Sequence, residues 1–213
     1  VDGCESDPDG AYRLNALGTK YVALACQNVG AALVYVSTNC VFDGTKTTPY
    51  LEYDAPNPIS VYGATKLAGE QIVQTLMNRF YIVRTAWLYG DGSRNFIGTV
   101  IRLASERDTI HMVSDEVGSP TFARDLAKGI AELIETRIYG IYHLVNEGMC
   151  SRYDLAAEVL RLVGKDDVKL IPTNLKDYDR PSRPPLYSPL RNVCAADLGI
   201  VLPPWEEALR DYL

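Results

Sequence analysis

Residues 31–38 read AALVYVST. A short apolar, β-branched run that ends in two hydroxyl side chains has the pattern of a strand buried on both faces. Just before it, residues 10–29 (GAYRLNALGTKYVALACQNV) carry apolar positions at helical spacing and stop at Gly30. Just after it, the polar, Gly/Pro-rich stretch 42–60 reads as a long loop, and helix signals then run from Val61 to Leu76. The alternation continues with a strand at 81–87 (YIVRTAW), a helix at 95–107, a strand at 109–115, a helix at 121–136 and a strand at 140–145 (GIYHLV). Ser151 and Asp154 form a capping-box pattern for a helix reaching Val163. A strand in DVKLIP and a last helix in PPWEEALRDYL follow. Strand and helix in alternation predict a parallel α/β sheet with helices on both faces. The punctuated segment 179–191 (DRPSRPPLYSPLR) reads as an ordered surface loop in a C-terminal lobe.

Composition narrows the function. The chain has 213 residues, 47% hydrophobic and 23% charged, enough for a sizeable core with an ordinary surface. A net charge of −6 and no long basic run argue against nucleic-acid or anionic-membrane partners. The longest apolar run, Ala31 to Val36, is too short to span a bilayer. Cys4, Cys26, Cys40, Cys150 and Cys194 make an odd count without a CxxC pair. That argues against a disulfide framework and a zinc site, and fits a reducing cytoplasm. Of the two histidines, His111 and His143, the second lies in a predicted strand and is expected to be structural. The opening VDGCESDPDG has no methionine, signal peptide or strand, and reads like the middle of a protein.

In the helix after the long loop, SVYGATKLAGE (60–70) places Tyr62 and Lys66 four apart, hence on one face. Chance supplies about 0.5 Tyr-x-x-x-Lys pairs in a chain of this composition, so the spacing alone is weak. Its chemistry is specific. An ammonium beside a phenol stabilises the phenolate, and a drop of roughly 2–3 pH units from about 10 corresponds to about 3–4 kcal/mol. Such a phenol could trade a proton with a substrate oxygen. Ser37 and Thr38 end the strand at 31–38, and ligands in such sheets sit beyond the carboxyl ends of strands. Thr38 is therefore placed to bind the same oxygen, or simply to cap the turn. Trp87, near the end of the next strand, could wall a sugar ring or merely pack.

These segments, in order, resemble a known family. VYVSTNCVFDGT, PYLEYD, PISVYGATKLAGE, VRTAWLYG, NFIGTVIRLASER, VSDEVGSPTFARDLA, GIYHLVNEGMCSRYDLA and LPPWEEAL are similar to the dTDP-4-dehydrorhamnose reductases of the extended short-chain dehydrogenase/reductase superfamily. The resemblance covers essentially the whole chain. It implies a Rossmann-like doubly wound sheet over 1–145, with a small substrate-binding lobe mainly in 146–213 and interleaved with it. It implies reduction of the C4 ketone of dTDP-4-dehydro-L-rhamnose by NADPH or NADH. Thr38, Tyr62 and Lys66 would be catalytic: Thr38 orients the carbonyl, Tyr62 gives the proton, and Lys66 lowers the phenol pKa and holds the nicotinamide ribose. Ser37, Tyr62 and Lys66 would meet the cofactor, and Asn39, Cys40, Trp87 and Arg183 the nucleotide sugar. Asn15 matches a helix asparagine that recurs in the superfamily. No metal is implied, and a homodimer is compatible with the pattern.

The chain also departs from the family. Many relatives carry Asp-Tyr where Asn39-Cys40 stands. The related 4,6-dehydratases use an Asp-Glu pair there, so dehydration is disfavoured. No GxGxxG or GxxGxxG occurs, so the first strands of the sheet and their pyrophosphate-binding turn are expected to be absent. The strand at 31–38 would then be an apolar edge, which predicts a chain that self-associates or is weakly stable, binds dinucleotide weakly and turns over little by itself. Arg180, Arg183 and Arg191, and beyond them Arg84 and Arg94, are candidates for diphosphate contacts, with Asp177 and Asp179 as competing partners. The rival readings are a non-catalytic relative, such as the regulatory β subunit of methionine adenosyltransferase, and a reductase or epimerase of another nucleotide sugar.

Overall fold

The computed structural model describes residues 1–92, 95–178 and 180–213. Helices cover Asp2–Ser6 (α1), Pro8–Tyr12 (α2) and Thr19–Val29 (α3), with a π-helical turn at Arg13–Gly18. Strand β1 is Leu33–Thr38, followed by α4 (Val61–Leu76), β2 (Phe80–Thr85), β3 (Leu88–Tyr89) and α5 (Phe96–Glu106). Next come β4 (Thr109–Val113), β5 (Val117–Gly118), β6 (Thr121–Phe122), α6 (Ala123–Thr136) and β7 (Gly140–His143). The chain finishes with β8 (Cys150–Ser151), α7 (Arg152–Leu162), β9 (Lys169–Thr173), α8 (Val193–Asp197) and α9 (Trp205–Tyr212).

The main described sheet runs β1-β2-β7, all parallel. Side chains alternate between its two faces, as strand geometry requires. Tyr81, Val83 and Tyr142 pack with Leu126 and Leu133 of α6 and Ala195 of α8. Leu33, Tyr35 and Ile82 pack with Ala23 of α3 and Val73 of α4. Helices on both faces make the sheet doubly wound, as the sequence pattern predicts. A fully buried Ile or Val stabilises by about 1.5–3 kcal/mol, so Ile82, Val83 and Val73 anchor these two layers. Strand β1 is one of the two edges of this sheet, and Val36 on it is 42% exposed.

A second core has Tyr89, Ile97, Val100, Phe122, Leu155, Val159, Trp205 and Leu209 among its members. Strand β4 pairs with β9 from Thr109↔Lys169 to Val113↔Thr173, and α5 packs on α7. Along the chain the two cores interleave. Residues 88–122 belong with 150–173 and α9, whereas α8 returns to the main sheet. The reason is register: β9 must lie beside β4 for each to bury its apolar positions.

Several boundaries shift for local reasons. Strand β2 stops at Thr85 rather than Trp87, because Trp87 takes a left-handed backbone with φ +43°. The helical run begins at Asp2, upstream of the expected residue 10, with a break at Asp7, whose carboxylate accepts the Gly10 amide at 2.9 Å. The capping box at Ser151 and Asp154 forms, with both reciprocal bonds present. The loop 42–60 is tied down by Glu52, whose carboxylate accepts the His143, Val193 and Cys194 amides at 3.1 Å each. His143 is buried against that tether, and its ring Nδ1 lies 3.2 Å from the Arg191 carbonyl.

Candidate active site

At the carboxyl end of β1 the chain turns through a 3-10 segment, Asn39–Val41, and the Thr38 hydroxyl accepts the Cys40 amide at 3.2 Å. Ser60 opens α4 by accepting the Gly63 amide at 3.1 Å. Gly63 lets the helix start flush against this turn, since a Cβ there would stand 2.1 Å from the Cys40 carbonyl oxygen. That approach brings Tyr62 beside Thr38 and Cys40. Glu5 of α1 caps the same helix end, accepting the Val61 amide at 2.8 Å. One turn along, Gly69 lets α4 lie on the Tyr35 hydroxyl, which donates to the Lys66 carbonyl at 3.2 Å.

The electrostatics of the pair differ from the expectation. Burial raises the Tyr62 phenol above its ordinary value, the Cys40 thiol adds to the rise, and the Thr38 hydroxyl opposes it. The Lys66 ammonium donates to the Val36 carbonyl at 2.8 Å and lies 4.1 Å from the centre of the Tyr35 ring. Burial lowers its own pKa, with Glu70 opposing. The ammonium turns to β1 and the Tyr35 face, and the phenol is raised rather than lowered as the spacing predicts. Asn15, in the π-helical turn, donates from its amide to Thr65 of α4 at 2.9 Å and so fixes the helix that carries both residues.

The other predicted residues divide. Ser37 turns inward, its hydroxyl donating to Glu70 at 2.5 Å. Asn39 is buried; its amide donates to the Ser188 hydroxyl at 2.7 Å and its carbonyl oxygen meets the Thr38 hydroxyl at 3.3 Å. Both ends are engaged, which makes Asn39 a tie between β1 and the loop that carries Ser188. Arg84 is no phosphate ligand: it is buried in a two-pronged pair with Glu70, at 2.7 and 3.0 Å. Arg180 pairs with Asp2 of α1 at 2.9 Å instead of with Asp177, while Arg94 and Asp179 lie outside the described residues. Arg183 and Arg191 are exposed, and among the described residues neither makes an ion pair. Arg183 lines a cavity of about 740 Å³ together with Asp43, Ile59, Asp115, Lys176 and Leu186.

Cys40 remains beside Tyr62, its thiol raised chiefly by burial and sensitive to Glu116 and Arg152. Those two residues, with Gly118, were not legible in the sequence. Strands β5 and β8 bring them to Trp87, and the Arg152 guanidinium lies 3.5 Å from the indole centre. Among the described residues no cluster of metal-ligating side chains occurs, and no helix is long and apolar enough to cross a membrane.

A family model described as the RmlD substrate binding domain matches residues 1–213. The dTDP-4-dehydrorhamnose reductase of Mycolicibacterium smegmatis is 39% identical, over 99% of this chain and 66% of its own length. The chain belongs to the dTDP-4-dehydrorhamnose reductase family. A solved dTDP-4-dehydrorhamnose reductase from Clostridium acetobutylicum matches this family member with a TM-score of 0.95 at 45% identity. One from Bacillus anthracis, in complex with NADP, matches with a TM-score of 0.96 at 42% identity. Each alignment covers 100% of this chain and 75% of the solved one, so the chain spans two thirds to three quarters of these reductases.

Proposed function

We propose that this site reduces the C4 ketone of dTDP-4-dehydro-L-rhamnose to the alcohol of dTDP-L-rhamnose, with NADPH or NADH as reductant. The observation that carries the reading is the meeting of the Tyr62 phenol, the Thr38 hydroxyl and the Cys40 turn at the carboxyl rim of β1. Thr38 orients the ketone oxygen, and Tyr62 donates the proton that oxygen takes up. A phenol raised above its ordinary value holds its proton at neutral pH, and Lys66 on the same helix face is the group that would ease its release. Lys66 fits a cofactor ribose: its bond to Val36 uses one of three N–H donors, and two remain for hydroxyl oxygens. When bound, the nicotinamide supplies the hydride. Arg183 and Lys176 line the 740 Å³ cavity and suit the diphosphate. In this reading the lobe of α5, β4, α7 and β9 holds the nucleotide sugar and the β1-β2-β7 body carries the proton donor. A cytoplasmic location goes with it.

The test is NADPH oxidation on addition of dTDP-4-dehydro-L-rhamnose to the natural full-length protein. The wild type consumes NADPH and yields dTDP-L-rhamnose, and Tyr62→Phe slows turnover by about 10²–10⁴-fold. Turnover unchanged in Tyr62→Phe removes the proton-donor role, and a different sugar product removes the substrate assignment.

A further inference from the structure

Trp87 is held on both faces. A Cβ added to Gly118 would stand 2.4 Å from Cε2 and 2.7 and 2.8 Å from its bonded neighbours Cζ2 and Nε1, so the Gly118 backbone lies directly over one face. The Arg152 guanidinium carbon is 3.5 Å from the ring centre. It takes the other face, because on the same one it would collide with the Gly118 backbone that lies over the ring. Glu116 fixes the guanidinium from the side: its carboxylate accepts from Nη2 at 3.2 Å, and its carbonyl accepts the Arg152 amide at 3.2 Å. The antiparallel pairing of Val117 with Ser151 and Gly118 with Cys150 makes all three contacts at once. A sugar therefore cannot stack on the indole face while Arg152 is in place. It meets the guanidinium instead.

We propose that Arg152, stacked on Trp87 and neutralised by Glu116, hydrogen-bonds the hexose hydroxyls of the nucleotide sugar and discriminates among sugars. This rests on the function proposed above. Three observations support it. The pair lies near the reacting centre, since Cys40 feels the charges of both Arg152 and Glu116 and itself adjoins Tyr62. Arg152 is only partly buried, its side chain 21% exposed, so donors remain for a ligand. The adjacent carboxylate cancels its charge, which suits neutral hydroxyls better than a diphosphate. Arg183 and Lys176 serve the latter better.

Calorimetric titration with dTDP-L-rhamnose and with dTDP, in the natural full-length protein, tests this. Arg152→Ala is expected to weaken dTDP-L-rhamnose binding at least tenfold while dTDP affinity stays within twofold, which also certifies the fold. Arg152→Lys keeps the charge but not the planar fork, and is expected to recover less than half of the lost binding free energy. In a Trp205→Phe background, dTDP-L-rhamnose but not dTDP should change Trp87 emission, and Arg152→Ala should abolish that change. Undiminished sugar-nucleotide binding in Arg152→Ala, or equal weakening of both ligands, overturns the proposal and leaves the reductase reading standing. A wild type that binds neither ligand overturns both.

Discussion

The Lys66 ammonium and the Val36 carbonyl are 2.8 Å apart, so the lysine that shares a helix face with Tyr62 is anchored to an edge strand. Burial is the largest influence on the phenol and raises it. In the function proposed above, activation of Tyr62 falls to Lys66, whose remaining donors would take the ribose hydroxyls.

Tyr62 should therefore ionise at a higher pH than an ordinary tyrosine in the protein without cofactor. Carbon-13 labelling at tyrosine Cζ, with Tyr62→Phe to assign the signal, reads this directly. Lys66→Met should leave the signal unmoved. A Tyr62 transition below pH 9 that disappears in Lys66→Met would restore the pre-activated pair.

Gly63→Ala should damage the site without touching a reacting group. The new Cβ would stand 2.1 Å from the Cys40 carbonyl oxygen, so α4 or the turn after β1 must move. Displacing a proton donor by about 1 Å costs on the order of 10²-fold in rate. We expect kcat to fall by about that factor with Tm lowered by several degrees; a kcat within twofold of wild type would show that the close approach is not needed.

Glu70→Ala should be among the most destabilising single changes in the main body. Glu70 and Arg84 are both buried, and Ser37 also depends on the carboxylate. Breaking one side of such a pair costs about 3–5 kcal/mol. At about 2–4 °C per kcal/mol for a chain of this size, thermal unfolding should drop by roughly 10 °C. The double variant Glu70→Leu/Arg84→Met should recover much of it. Thermal melts of wild type and the two variants in one buffer decide the matter.

His143 should make the fold acid-sensitive. Burial, reinforced by Arg84, lowers its pKa from 6.5 to about 3. Between those values the unfolded chain binds a proton that the folded chain refuses, so stability rises with pH across that window and falls as pH drops below 6.5. The slope from this residue approaches 1.4 kcal/mol per pH unit. Urea unfolding at pH 7, 6 and 5 should show that slope in the wild type in excess of His143→Asn. Parallel pH dependences would mean that His143 is protonated in the native state.

What the sequence disclosed and what it withheld follow from how local each signal is. Strand β1, helix α4 and the Ser151–Asp154 cap are written in spacings of two to four residues, and all three are found. Ser37 and Asn39 were read by chemical type alone. A polar residue at a strand end does not say which way it points, and these two point at Glu70 and Ser188. Arg84 could have been read better: an arginine inside a strand buried on both faces needs a carboxylate, and Glu70 on the preceding helix was the available one. The Trp87 sandwich could not have been found this way. It depends on two strands of two residues each, β5 and β8, which carry no periodicity of their own.

The second core also constrains biosynthesis. Tyr89 is made early and Trp205 and Leu209 late, yet they share one apolar cluster. At about 5–20 residues per second, that lobe stays open for on the order of ten seconds while the ribosome finishes the chain. Any nascent-chain chaperone that serves this protein must shield α5 and β4 for that interval, and a stop codon before Trp205 would strand them in solvent.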